Sequence, residues 1–325
     1  MTPETKAAIV GIAGPTLSSH EAALFRTHPP SGIILFARNI VDKPGLAALM
    51  AELRRVLPPD AVFMVDQEGG RVARLRPPNW HAHPPGAELR TLRRAWLSGA
   101  LIGLECAEAG FNTVAAPVLD LSIAGAHGVI GDRALADDPD MVARLGRAFA
   151  DGLLAAGVQP IGKHAPGHGR ARVDSHLSLP VVEANHIDAD ILPFARNADL
   201  PWMMTAHILY PAFDKILPAT LSPYIIQKII RERIGFQGVL VTDDLAMKAL
   251  SGEPADLAVR ALDAGCDVAL YCSGEYAPTE ALLAACPPLS DRASQRLAQS
   301  RTKAAKRRLN LDHEAIARER DRSQR

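Results

Sequence analysis

The chain has 325 residues, 48% of them hydrophobic, with Lys plus Arg and Asp plus Glu balanced at 36 each. That apolar content supports a sizeable globular core and excludes a disordered chain, and the zero formal net charge gives no pull toward nucleic acid or a membrane surface. Cys106, Cys266, Cys272 and Cys286 are widely spaced without a C-x-x-C pair, as expected of reduced thiols, and no apolar run is long enough to span a bilayer, so a soluble, cytoplasmic protein is expected.

Along the chain, short apolar runs alternate with helix-length amphipathic segments. The strand-length runs are "AAIVGIAG" from Ala7, "GIILFA" from Gly32, "AVFMVD" from Ala61, "TVAAPVLD" from Thr113, "VQPIGKH" from Val158, "PWMMTAH" from Pro201, "GVLVTDD" from Gly238 and "DVALYC" from Asp267. Most are unalternated, as strands buried on both faces are. The first run has Glu4 beside Lys6 ahead of it and no small-residue cleavage site after it, so it reads as a strand rather than a leader. Helices are predicted over 43–57, 140–157, 222–235 and 253–265, several ending at glycine. Eight β-α units predict a single-domain (β/α)8 barrel of the TIM type, with a doubly wound open sheet as the rival. The connections 67–92, 120–139 and 165–200 exceed ordinary loops and are where function is expected. The charged, mixed-sign tail over 311–325 reads as part of a solvated helix with a frayed end.

In such a barrel the chemistry collects at the C-terminal ends of the strands. From the third run on, those ends are polar: Asp66, Asp120, Lys163 with His164, His207, and Asp243 with Asp244. One aspartate after a strand is an ordinary helix N-cap. Five polar ends in succession point to a site.

The richest stretch is "IGKHAPGHGRARVDSHLSLP", residues 161–180. His164 and His168 have H-x-x-x-H spacing, but Pro166 and Gly167 break the helix that would align them, and the glutamate of H-E-x-x-H is absent, so no metal is expected. "GVQPIGKH" approximates a phosphate loop, but His164 replaces the Mg²⁺-binding Ser or Thr and no helix opens after the lysine. No G-x-G-x-x-G follows the first strand, so no dinucleotide cofactor is expected. Proton handling remains: Asp174 and His176, two residues apart in an extended loop, point the same way, so the carboxylate can orient and charge-stabilise the imidazole. The same pair would serve equally as a structural ion pair.

The segments "VDQEGGRVARL" (65–75), "GVIGDRAL" (128–135), "GKHAPGHG" (162–169), "DSHLSLP" (174–180), "TAHILYPAFD" (205–214) and "GFQGVLVTDDLAM" (235–247) resemble, in order and across almost the whole chain, glycoside hydrolase family 3, most closely its single-domain bacterial β-N-acetylglucosaminidases of cell-wall recycling. The resemblance implies a barrel catalytic domain over 1–310, Asp243 as nucleophile with Asp244 supporting it, and His176 assisted by Asp174 as acid/base. It implies sugar contacts from Asp66, Arg74, Arg133, Lys163, His164 and His207. His168 is assigned to shaping the loop. Ala165 stands where the family usually has an aromatic residue.

The chemistry agrees with a retaining glycosidase, which needs a carboxylate to attack the anomeric carbon and an acid to protonate the departing oxygen. The His-Asp acid departs from the usual second carboxyl group, and larger relatives take their acid from a second domain that this chain is too short to supply. Few aromatic residues are available to stack on a polysaccharide, which argues for one held sugar and exo action. The expected activity is release of N-acetylglucosamine from muropeptides by a monomer without metal or cofactor. The rivals are a phosphorylase using the same nucleophile, a metal-dependent hydrolase built on the histidines, and a non-catalytic amino-sugar-binding protein.

Overall fold

The computed structural model describes residues 3–183 and 187–323. Eight parallel strands close into a barrel in sequence order: β1 (Lys6–Val10), β2 (Pro30–Leu35), β3 (Val62–Val65), β4 (Thr113–Val114), β5 (Gln159–Ala165), β6 (Trp202–Thr205), β7 (Val239–Asp244) and β8 (Val268–Tyr271), with β1 pairing to β8. All eight strands fall on the runs expected from the sequence, and closure removes the open-sheet alternative. Helices α1 (Ser19–Thr27), α2 (Lys43–Val56), α3 (Leu92–Glu108), α4 (Pro139–Ala155), α5 (Ile187–Arg196), α6 (Pro254–Ala264), α7 (Tyr276–Ala285), α8 (Asp291–Arg307) and α9 (His313–Ser323) surround or flank it.

The period-2 alternation of each strand divides the core into two layers. Ile9, Ile34, Val62, Met64, Ala115, Ile161, Trp202, Met204, Val239, Val241, Val268 and Leu270 fill the barrel interior as one buried cluster. Their strand neighbours, such as Val10, Ile33, Leu35, Phe63 and Leu240, pack outward in the larger cluster shared with the helices. Caps fix where helices begin. Ser18 and Glu21 form a reciprocal capping box on α1, and Asp138 accepts from Met141 N at 2.8 Å at the start of α4, each cap stabilising its helix by about 1 kcal/mol.

Three elements differ from the sequence reading. β4 is two residues long because the turn toward Pro117 ends regular pairing, yet the chain stays bonded to β5 through Ile161 N to Ala116 O (2.9 Å) and Leu119 N to Lys163 O (2.7 Å). That irregular edge delivers Asp120 to the top of the barrel. The segment expected as a helix over 222–235 winds more widely over Ile225–Arg233, with Ile234 N reaching back five residues to Ile229 O. The connection 165–200 contains α5, masked in the sequence by Pro193, whose Ile187, Ile191 and Phe194 are buried.

The charged tail needs correction. It is helical over His313–Ser323, but Ile316, Ala317 and Arg320 are buried, the first two in a cluster with Leu97, Ala100 and Leu101 of α3, so only its outer face is solvated. The sequence reading was misled because the buried side of α9 includes an arginine, whose guanidinium donates to Ala82 O at 3.0 Å. Among the described residues no helix is long and apolar enough to cross a membrane.

Candidate active site

At the C-terminal ends of the strands lies a cavity of about 370 Å³, and its lining includes Asp66, Glu68, Arg74, Arg133, Lys163, His164, His168, Asp174, His176 and Asp243. Ile34, Met204 and Leu270, the top of the barrel interior, give it an apolar floor. The sequence-predicted residues therefore converge from five separate segments, with His207 as the exception.

On one wall β3 presents Asp66. Its carboxylate accepts from Lys163 Nζ at 2.9 Å and Arg74 Nη2 at 3.3 Å. Burial pushes the Asp66 pKa up, but Lys163 and Arg74 outweigh it and hold the group below its usual range. Arg74 stacks over Phe36, 5.2 Å from the ring centre, and its buried Nε has no partner among the described residues, leaving a donor available in the wall.

Glu68 is the residue that the sequence reading missed. It takes both forks of Arg133, at 2.8 and 2.9 Å, and Lys163 Nζ at 2.6 Å. Against burial, Arg133 and then Lys163 drive its pKa far below the ordinary value, so it is a fixed anion. The turn that aims it requires glycine: Gly69 has φ +107°, and a Cβ there would stand 2.2 Å from Pro84 O. The signal available in the sequence was "EGG", an acid against a double glycine just past a strand end.

β5 and its following loop supply the third group. Asp120, fully buried, accepts from His164 N at 3.2 Å, His164 Nδ1 at 2.7 Å and His168 N at 2.6 Å. A single carboxylate thus fixes both histidines, the second role that sequence reading left unassigned. His168 turns its Nε2 to Ser175 Oγ at 3.0 Å, tying the strand end to the loop that carries His176. Burial, reinforced by the neighbouring His164, lowers the His168 pKa to about 4, so it is neutral near pH 7. Tyr210 steadies the same loop by donating to Gly167 O at 2.6 Å, while Ala165 is fully buried.

Asp174 and His176 form the expected pair: Asp174 Oδ1 meets His176 Nδ1 at 2.8 Å and accepts from His176 N at 2.9 Å. The His176 side chain is 62% exposed, so its other ring nitrogen is accessible at the cavity mouth. The three histidines of the stretch engage Asp120, Ser175 and Asp174 respectively, which orients each ring separately instead of converging them on one ion.

β7 ends in Asp243 and Asp244. Asp243 accepts the Asp244 N–H at 2.9 Å, and although burial would raise its pKa, His164, His207 and Lys163 bring it to about 2. It is an ionised carboxylate on a rigid strand end. Asp244 Oδ1 instead accepts from Ala246 N and Cys272 N, both at 2.9 Å, a supporting position.

His207 requires correction as a sugar contact. It is fully buried, its Nδ1 meets Thr220 Oγ1 at 2.7 Å and its Nε2 meets Asp244 O at 3.0 Å, and it is not on the cavity wall. With both ring nitrogens engaged by protein, it braces β7 from β6. The strand-end position that suggested contact is shared by residues that point beneath the site.

The model of the glycosyl hydrolase family 3 N-terminal domain matches residues 8–309. A beta-hexosaminidase from Methylococcus capsulatus is 41% identical over 275 residues, covering 81% of this chain and 81% of that protein. NagZ from Neisseria gonorrhoeae, solved with N-trifluoroacetyl-D-glucosamine, superposes with a TM-score of 0.84 at 30% identity over 99% of this chain and 96% of that one. A family 3 beta-N-acetylglucosaminidase from Paenibacillus gives 0.84 at 31% identity over 94% of this chain, which spans 62% of that longer chain. With the matched region running from the first strand to just past α8, the chain belongs to glycosyl hydrolase family 3.

Proposed function

We propose that this β-N-acetylhexosaminidase is a retaining, exo-acting enzyme that releases terminal N-acetylglucosamine from muropeptides, the disaccharide N-acetylglucosaminyl-1,6-anhydro-N-acetylmuramic acid with or without its peptide. The observation that carries the reading is an ionised, half-buried carboxylate, Asp243, sharing one small cavity with an exposed histidine whose Nδ1 is held by Asp174. In the proposed reaction Asp243 attacks the anomeric carbon while His176 Nε2 protonates the departing oxygen. The Asp174 carboxylate compensates the imidazolium and fixes which nitrogen faces outward. The neutral imidazole then takes a proton from water, which opens the glycosyl-enzyme ester and regenerates Asp243.

Around the ring, Asp66 accepts from sugar hydroxyls, while Arg74, Lys163, Arg133 and His164 donate. The Asp66–Lys163–Glu68–Arg133 chain is already charge-balanced, so it needs no rearrangement to receive a neutral sugar. A cavity of about 370 Å³ suits one or two sugar units and agrees with exo action. The relatives named beta-hexosaminidase and the neighbour solved with an N-acylglucosamine analogue support a 2-acetamido sugar.

The test is hydrolysis of the isolated disaccharide, with and without peptide, by the purified protein in the presence of chelator. Stoichiometric N-acetylglucosamine in phosphate-free buffer supports the reading. Release that requires inorganic phosphate and yields the sugar phosphate would replace it with phosphorolysis.

A further inference from the structure

Away from the cavity, the 67–92 connection, α3 and α9 bring together His81, Glu105 and His313, one ligand atom of each lying within 4.8 Å of the others. Glu105, its side chain 4% exposed, is oriented by a second layer. Arg320 of α9 donates to His83 Nδ1 at 3.1 Å. A guanidinium cannot accept, so His83 carries its proton on Nε2 and donates it to Glu105 Oε2 at 2.8 Å. That leaves Glu105 Oε1 to His81, whose Nδ1 approaches at 2.6 Å and whose main-chain N–H approaches at 3.1 Å. His313 opens α9 with its ring 5.7 Å from that of His81, and its buried Nε2 has no hydrogen-bond partner among the described residues.

Two imidazole nitrogens and one carboxylate oxygen are the donor set of a borderline divalent cation such as zinc, and not that of calcium or magnesium, which require oxygen ligands. We propose that His81 Nδ1, Glu105 Oε1 and His313 Nε2 form a zinc-type cation site that clamps α9 to the barrel. Bonds of about 2.1 Å in a tetrahedron place ligand atoms about 3.4 Å apart, so His81 and Glu105 separate by less than an ångström on binding. On binding, His81 gives up the Nδ1 proton and carries one on its exposed Nε2, exchanged through solvent, so both imidazoles bind as neutral donors and the carboxylate offsets one of the two positive charges. The His83 hydrogen bond keeps the other carboxylate oxygen oriented, as a partner behind a metal ligand does. His81 is 40% exposed, which leaves a fourth position open to water. None of the three ligands lines the sugar cavity, so the site is structural.

The test uses the chelator-stripped full chain titrated with Zn²⁺ against a chromophoric competitor, with thermal melting in parallel. One equivalent bound and a raised Tm are expected. His313→Ala and His81→Ala should each weaken binding by roughly 100-fold or more and abolish the Tm rise, while metal-free turnover of an aryl β-N-acetylglucosaminide is unchanged. His176→Ala should retain the ion. If His313→Ala fails to fold, Co²⁺ on the unsubstituted protein decides: intense tetrahedral visible bands that His81→Ala removes are expected. Absence of those bands, equal zinc affinity in the unsubstituted protein and His81→Ala, or loss of the ion on His176→Ala alone would overturn the proposal.

Discussion

Asp243 and Asp244 are consecutive on β7, yet their carboxyl groups are driven in opposite directions, Asp243 to about 2 and Asp244 to about 6. Burial raises both. At Asp243 it is overcome by His164, His207, Lys163 and the Asp244 N–H, whereas at Asp244 two backbone N–H donors do not offset burial, and the Asp243 charge adds to it. Adjacent groups with separated pKa values suit separate duties: the ionised Asp243 is the proposed nucleophile, and Asp244 supports the strand end through its two backbone donors.

Asp243→Asn should therefore lower kcat for an aryl β-N-acetylglucosaminide by roughly 10⁴-fold or more while Tm falls modestly, since His164, His207 and Lys163 hold the Asp243 pKa down and so stabilise its charge in the fold. Mass spectrometry with a slow fluorinated substrate should find the sugar on the Asp243 peptide of the unsubstituted enzyme. Labelling of Asp244 instead would exchange the two assignments.

Asp244→Asn keeps an oxygen to accept from Ala246 and Cys272 and removes only the titration. Because the folded-state pKa is above the ordinary 3.8, the folded state holds the proton more tightly, and stability falls as pH rises from about 4 to about 6. The variant should be more stable than the parent by about 3 kcal/mol at pH 8 and nearly equal to it at pH 4. Urea melts at the two pH values measure the difference, and a pH-independent offset would reject the cause.

His176→Ala should slow substrates with poor leaving groups far more than activated aryl glycosides, because only the former need protonation of the departing oxygen. His176 is largely exposed, so stability should change by no more than about 0.5 kcal/mol. Equal loss on both substrates would assign His176 to binding.

How far the sequence carried these conclusions depends on chain locality. The strands were legible because both-face burial leaves unbroken apolar runs, and Asp243 and Lys163 were legible because they sit where those runs stop. Glu68 was not, since its meaning lies in Arg133 and Lys163, 65 and 95 positions away, meeting it through the Gly69 turn. Asp120 was visible as a strand end, but its three donors come from His164 on β5 and His168 just after it, 44 and 48 positions away. His207 failed for the opposite reason: its position was right, and only the register of β6 decides that it points to Thr220 and the Asp244 carbonyl. The inner face of α9 was hidden because an arginine and an alanine occupy it beside one isoleucine.

Glu68→Gln tests the missed residue. It leaves Arg133 and Lys163 short of one buried counter-charge, which should cost about 3 kcal/mol of stability and reduce kcat/KM through a higher KM. Combining it with Arg133→Met should recover part of the stability, because the unpaired cation goes too. Additive losses in that double-mutant cycle would show that the pair is not coupled.

Acid should destabilise the protein through His168. Its folded-state pKa of about 4 lies below the ordinary 6.5, so between those values the unfolded chain binds a proton that the folded chain refuses. Stability from this group is complete above pH 6.5 and falls as pH drops toward 4, by about 3 kcal/mol in all. His207 and His83, also lowered by burial, act in the same direction, whereas Asp244 opposes them between pH 4 and 6. The cleanest comparison is therefore made in the Asp244→Asn background, where the acid slope should steepen. Adding His168→Gln, which can still reach Ser175 Oγ, should then flatten it by removing the proton that only the unfolded state accepts. Parallel stability curves with and without His168→Gln would mean that His168 already carries its proton in the fold, which is incompatible with its burial behind Asp120 and against His164.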